Sequence, residues 1–99
     1  MKREIWIGTI LLSPLPDGKK KKYIGAYASV ACCADTFNKA IELITAEFYE
    51  NRYEVIGFEN FAPMSMLERE LTDYEQALVD ATSAYPVQFK NVHLFKGNS

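Results

Sequence analysis

Two adjacent cysteines, one histidine, a run of four lysines and a dense set of carboxylates are the side chains here that could do chemistry. Cys32-Cys33 stand just before a segment patterned as a helix. At a helix N-terminus the macrodipole and free N–H groups lower a thiol pKa and create a nucleophile. Such a nucleophile needs a base, and His93 is the only histidine. The competing reading makes the cysteines small apolar residues closing a strand. His93 sits between Val92 and Leu94 in a strand pattern, which suits a structural or exposed side chain. One histidine and two neighbouring cysteines form no zinc pattern, so neither metal nor cofactor is expected.

Lys19–Lys22, followed by Tyr23 and Tyr27, could contact phosphates and stack on bases. A lysine-rich turn also solvates a hairpin tip and protects its edge from aggregation. The rest of the chain carries about −6 and would repel a polyanion, which argues against nucleic acid as a partner.

The carboxylates are segregated. Residues 35–85 hold eleven acids against Lys39, Arg52 and Arg69, a net of −8, while residues 1–34 carry +4 and residues 86–99 add +2. A one-sided field of this kind bears on partners and association rates rather than on fold. No segment has the alternating Asp/Asn pattern and central glycine of a calcium loop. A glycosidase-type carboxylate pair needs a deep cleft, which a domain of this size rarely builds. Aromatic residues lie among the acids, and Tyr49 falls on the polar side of its helix. Tyrosines ringed by carboxylates suit a protein interface, with rings anchoring and acids steering a basic partner. The candidate partner-binding residues are Glu42, Glu47, Tyr49, Glu50, Glu70, Asp73 and Asp80.

The elements that must position these residues follow from periodicity. Ile5–Leu12 is β-branched, aromatic and apolar on both faces, the pattern of a central or doubly covered strand. Pro14, Pro16, Asp17 and Gly18 break it, and Lys21–Ala31 forms a second strand, giving a long hairpin. Asp35 is placed to cap a helix over Thr36–Asn51, with Phe37, Ile41, Ile44 and Phe48 as its buried stripe. Tyr53–Phe61 alternates as a third strand, Tyr53, Val55 and Gly57 on one face against Glu54, Ile56 and Phe58 on the other. Ser65 to Glu68 fits a capping box, and Leu67, Leu71, Tyr74, Leu78, Ala81 and Tyr85 follow at helical spacing. That predicts one helix over about 66–84, with a break near Thr72 as the alternative because Thr72 to Glu75 is a second capping box. Val87–Phe95 is the last strand. The order β-β-α-β-α-β predicts an α+β domain over residues 1–99, a four-stranded mixed or antiparallel sheet with two helices.

Composition agrees with a single globular domain: 99 residues, 48% hydrophobic and 24% charged. Lone adjacent cysteines build no disulfide framework, which favours a reducing compartment. The run after Lys2-Arg3 is short for a signal sequence, Glu4 interrupts the basic region, and no cleavage motif follows. No stretch reaches the roughly 20 apolar residues that span a bilayer. The expected location is the cytoplasm, away from membranes, and a C₂ homodimer through the hairpin is open.

In size, charge pattern and element order, the whole chain resembles bacterial immunity proteins, which neutralise nuclease toxins. Tyr85-Pro86 is similar to the tyrosine-proline ending of a helix in colicin-type immunity proteins. Those are all-helical and this chain reads as strand-rich, so no residue role is carried over. The resemblance implies a non-catalytic inhibitor that binds and blocks a basic, nuclease-like toxin domain. The alternatives are a small-ligand or regulatory domain, dimeric in form, and a cysteine-dependent enzyme.

Overall fold

The long hairpin expected at the N-terminus organises the molecule. A computed structural model describes residues 3–14 and 23–96; the Lys19–Lys22 run lies outside the described residues. β1 (Glu4–Pro14) and β2 (Tyr23–Ala34) pair antiparallel from Glu4 opposite Ala34 to Leu12 opposite Ala26. β3 (Tyr53–Pro63) adds to the free side of β1. β4 (Val87–Gln88) and β5 (His93–Lys96) share the outer side of β2, against Ala31–Cys32 and Tyr23–Tyr27 respectively. Every pairing is antiparallel, so the fold is α+β with an antiparallel sheet, four strand positions wide. The expected last strand is split, because Phe89–Val92 leave the ladder between β4 and β5.

The two helices lie on opposite faces. α1 (Phe37–Glu50) lays Ala40, Ile44 and Phe48 on Trp6, Ile10 and Leu12 of β1 and on Ala26, Ala28, Val30, Cys32 and Ala34 of β2. The small β2 side chains let the helix come close, and Phe48 fills the space, its ring 4.4 Å from Phe89. Successive strand residues point to opposite faces, so Ile5, Ile7 and Ala31 face the other way. There they meet Leu78 of α2 (Asp73–Ala81), with Leu67, Leu71 and Tyr74. Sequence read β1 as apolar on both faces; a helix on each side is the reason.

Four local expectations need correction. Thr36, not Asp35, caps α1: its hydroxyl accepts from the Lys39 N–H at 3.1 Å. Phe37 of the expected stripe is 45% exposed, and Ala40 takes its place in the core. The helix over 66–84 does not form. Met64–Met66 make a single 3₁₀ turn, and α2 starts only at the second capping box, where Thr72 and Glu75 satisfy each other's backbone donors. Ser65 instead donates its hydroxyl to Glu4. Finally, β3 does not alternate simply. Register shifts opposite Leu11/Leu12 and Ile7/Thr9 each insert a residue into β3, so Tyr53, Val55, Phe58 and Phe61 all face α1. At the second shift Asn60 has φ 52° and Gly8 lies opposite; a Cβ on Gly8 would come within 2.6 Å of the Phe61 Cα. Only glycine permits that approach.

Candidate functional site

The outer face of α1 carries Glu42, Tyr49 and Glu50. Its inner stripe is fixed by Ala40, Ile44 and Phe48, and the 3.6-residue period turns these three away from the sheet, while Glu47, three residues past Ile44, sits half-buried on the flank of the stripe. Tyr49 is 63% exposed. Glu42 lies 3.4 Å from Lys39, a solvated pair. Glu47 is held by neutral donors: the Tyr85 hydroxyl donates to Oε1 at 2.9 Å and Asn51 Nδ2 lies 3.5 Å from Oε2. Glu50 is exposed and makes no ion pair among the described residues.

Tyr85 completes this group. It stands in the turn between α2 and β4 and reaches past the sheet edge to α1. Its ring is 51% exposed. The bond to Glu47, then the charge of Glu47, and last the field of Glu50 push its phenol pKa up, since all oppose a phenolate. Sequence periodicity placed Tyr85 in the buried stripe of a long helix; the early end of α2 frees it.

The charges of α1 run against its dipole. Lys39 occupies the first turn, where no acid stands, and Glu47 and Glu50 occupy the last turn, where no base stands. The C-terminal end of a helix bears partial negative charge, so each such carboxylate costs about 0.3–1 kcal/mol. Arg52, just beyond the helix, is exposed and in a left-handed conformation with φ 70°. It forms no ion pair among the described residues.

The other three candidates belong to the opposite side of the sheet. Asp73 lies in the first turn of α2, where a carboxylate complements the dipole. Asp80 accepts from Gln76 at 2.9 Å. Glu70 is exposed and its carbonyl accepts from Arg69. Beside them Arg69 grips Glu75 with both terminal nitrogens at 2.7 Å, which holds the Glu75 carboxyl at about 2. The seven candidate residues therefore fall into an α1 group and an α2 group.

The cysteine chemistry does not assemble. Both cysteines lie inside β2, and Cys32 is fully buried with its Sγ 4.0 Å from the Ala40 carbonyl oxygen. Burial, and secondarily the neighbouring Cys33, push its pKa up to about 11, opposite to what a nucleophile requires. His93 stacks on Tyr27 with ring centroids 4.7 Å apart, directly across the ladder. Tyr27 is six positions from Cys33 along β2, about 20 Å at strand rise. No Cys–His pair forms.

Among the described residues, no three His, Cys, Asp or Glu side chains gather to hold a metal ion. Among the described residues, no helix is long and apolar enough to cross a membrane. No protein-family model matches the chain, and neither the curated proteins nor the solved structures contain a match.

Proposed function

We propose that this chain is a non-catalytic binding module that docks a basic protein on the outer face of α1. Tyr49 and Tyr85 anchor the partner, and Glu42, Glu47 and Glu50 steer it. The observation that carries this reading is the placement of Glu47 and Glu50 at the dipole's negative end, with the exposed Tyr85 bonded to Glu47 and the exposed Tyr49 next to Glu50 in sequence. Local stability favours cations there, so the acids oppose folding and suit an incoming cation. Glu47 is also oriented in advance by Tyr85 and Asn51, which lowers the ordering cost of docking. The resemblance to immunity proteins makes a nuclease-type toxin domain the class of partner, blocked by coverage of its working surface.

Capture from the native host's lysate tests this reading. Wild-type protein is expected to retain one basic protein at low and at high salt. Glu47→Lys/Glu50→Lys is expected to lose it, and Asp80→Lys, on the other side of the sheet, to keep it. A scatter of basic proteins released by salt, the same for all three baits, contradicts the reading.

A further inference from the structure

A second feature lies at the other end of α1. A cavity of about 160 Å³ opens where the end of β2, the start of α1 and Pro86 meet. Ala34, Leu43 and Pro86 give it apolar walls, and Arg3, Lys39 and Asp35 bring charges to it. Asp35 Oδ1 stands 3.9 Å from Arg3 Nε. Neither of these two side chains makes a hydrogen bond among the described residues. The contrast with Arg69, whose two nitrogens close on Glu75 at 2.7 Å, is direct. Here the guanidinium and the carboxylate form a looser, solvent-open ion pair with no direct hydrogen bond between them, and Lys39, paired with Glu42 at 3.4 Å, stands beside them.

This arrangement selects among ligands. A bare anion attracted by Arg3 and Lys39 meets repulsion from Asp35. A bare cation attracted by Asp35 meets both bases. A molecule carrying an ammonium and a carboxylate one carbon apart satisfies all three groups, because charge-assisted hydrogen bonds then form at both poles. The apolar wall accepts an aliphatic group, and the volume is well below the several hundred cubic ångströms of drug-sized sites. A neighbouring cavity of about 340 Å³ lies on the other side of Arg3. There Glu4 already accepts from Ser65, so no second free carboxylate is offered.

We propose that the smaller cavity binds a free amino acid with a small aliphatic side chain. Its carboxylate lies on Arg3 and Lys39, its ammonium on Asp35, and its side chain against Ala34, Leu43 and Pro86. This site lies at the other end of α1 from Tyr49 and Tyr85; Lys39 pairs with Glu42, but Asp35 takes no part in the protein-docking reading, so the Asp35→Asn arm tests the cavity independently.

The test is a ¹H–¹⁵N titration of the full chain with L-valine, valinamide and N-acetyl-L-valine. L-Valine is expected to shift the amides of Ala34, Asp35, Lys39 and Leu43. Each analogue, lacking one charge, is expected to bind about tenfold more weakly. Asp35→Asn is expected to erase the advantage of L-valine over N-acetyl-L-valine, with resonances far from the cavity unmoved. Equal binding of L-valine and N-acetyl-L-valine to the wild type overturns the proposal, as does the absence of any shift at those amides under millimolar L-valine.

Discussion

Glu50 and Arg52 hold positions that local physics disfavours. Glu50 ends a helix whose last turn contains no base. Glu50→Lys is therefore expected to stabilise the fold by about 0.5–1 kcal/mol. Urea unfolding followed by the fluorescence of Trp6, the sole tryptophan and a core residue, reads this directly. Glu47 differs, because the Tyr85 hydroxyl and Asn51 depend on it, and its replacement by lysine gives up those bonds. Arg52 occupies the left-handed position just past the helix, where glycine is the usual residue. Arg52→Gly is expected to gain up to about 1 kcal/mol in the same unfolding experiment. A loss in either variant would mean that these side chains support the fold, and the argument from misplaced charge would fail.

At the scale of elements, α2 is the weakest part of the design. It has nine residues and one buried side chain, Leu78. So short a helix does not hold in water unaided, and the Arg69–Glu75–Thr72 cluster fixes its start. The folded Glu75 carboxyl titrates near 2 against an ordinary 4.5. The unfolded chain therefore binds more protons across that interval. The contribution of Glu75 is fully present above about pH 4.5 and is lost as pH falls toward 2. Hydrogen exchange of the α2 amides is expected to stay slow at pH 4 in the wild type and to be faster in Arg69→Ala. Equal protection in both would show that packing alone holds α2. The sequence displayed this element's cap and its apolar period but not its length. The period at Leu67 and Leu71 is real, since both pack on the second core, yet neither lies in a helix. Side-chain spacing reports which residues are buried; the competition between two capping boxes decides where a helix begins. β3 resisted reading for a related reason. Its inserted residues are set by the register against β1, and only Gly8 and Asn60 hinted at them. The β1–β2 hairpin and the Ile44–Phe48 part of the α1 core face were legible, because alternation and helical period there agree with burial; Phe37 and Ile41 of the expected stripe were not, since the core runs through Ala40 instead.

At the scale of the whole molecule, a helix on each face divides the acidic segment in two. Sequence treated the carboxylates of residues 35–85 as one population. The sheet places Glu42, Glu47, Tyr49 and Glu50 on one side and Glu70, Asp73 and Asp80 on the other. Asp73 and Asp80 have structural uses, at the helix start and in the bond from Gln76, while Glu50 has neither an ion pair nor a hydrogen bond among the described residues. The proposed docking on α1 rests on the last-turn position of Glu47 and Glu50, and that division of the acids was invisible without the topology.

The measurement that bears most directly on this claim is the association rate of the captured basic partner, followed by stopped flow as ionic strength rises. For the wild type, electrostatic steering predicts a rate that falls steeply with salt, with an acceleration of at least about tenfold at low salt. Glu47→Lys/Glu50→Lys is expected to remove that acceleration, while Asp80→Lys retains most of it. An unchanged low-salt rate in Glu47→Lys/Glu50→Lys would mean that the α1 carboxylates are merely solvated, and the binding reading would be wrong.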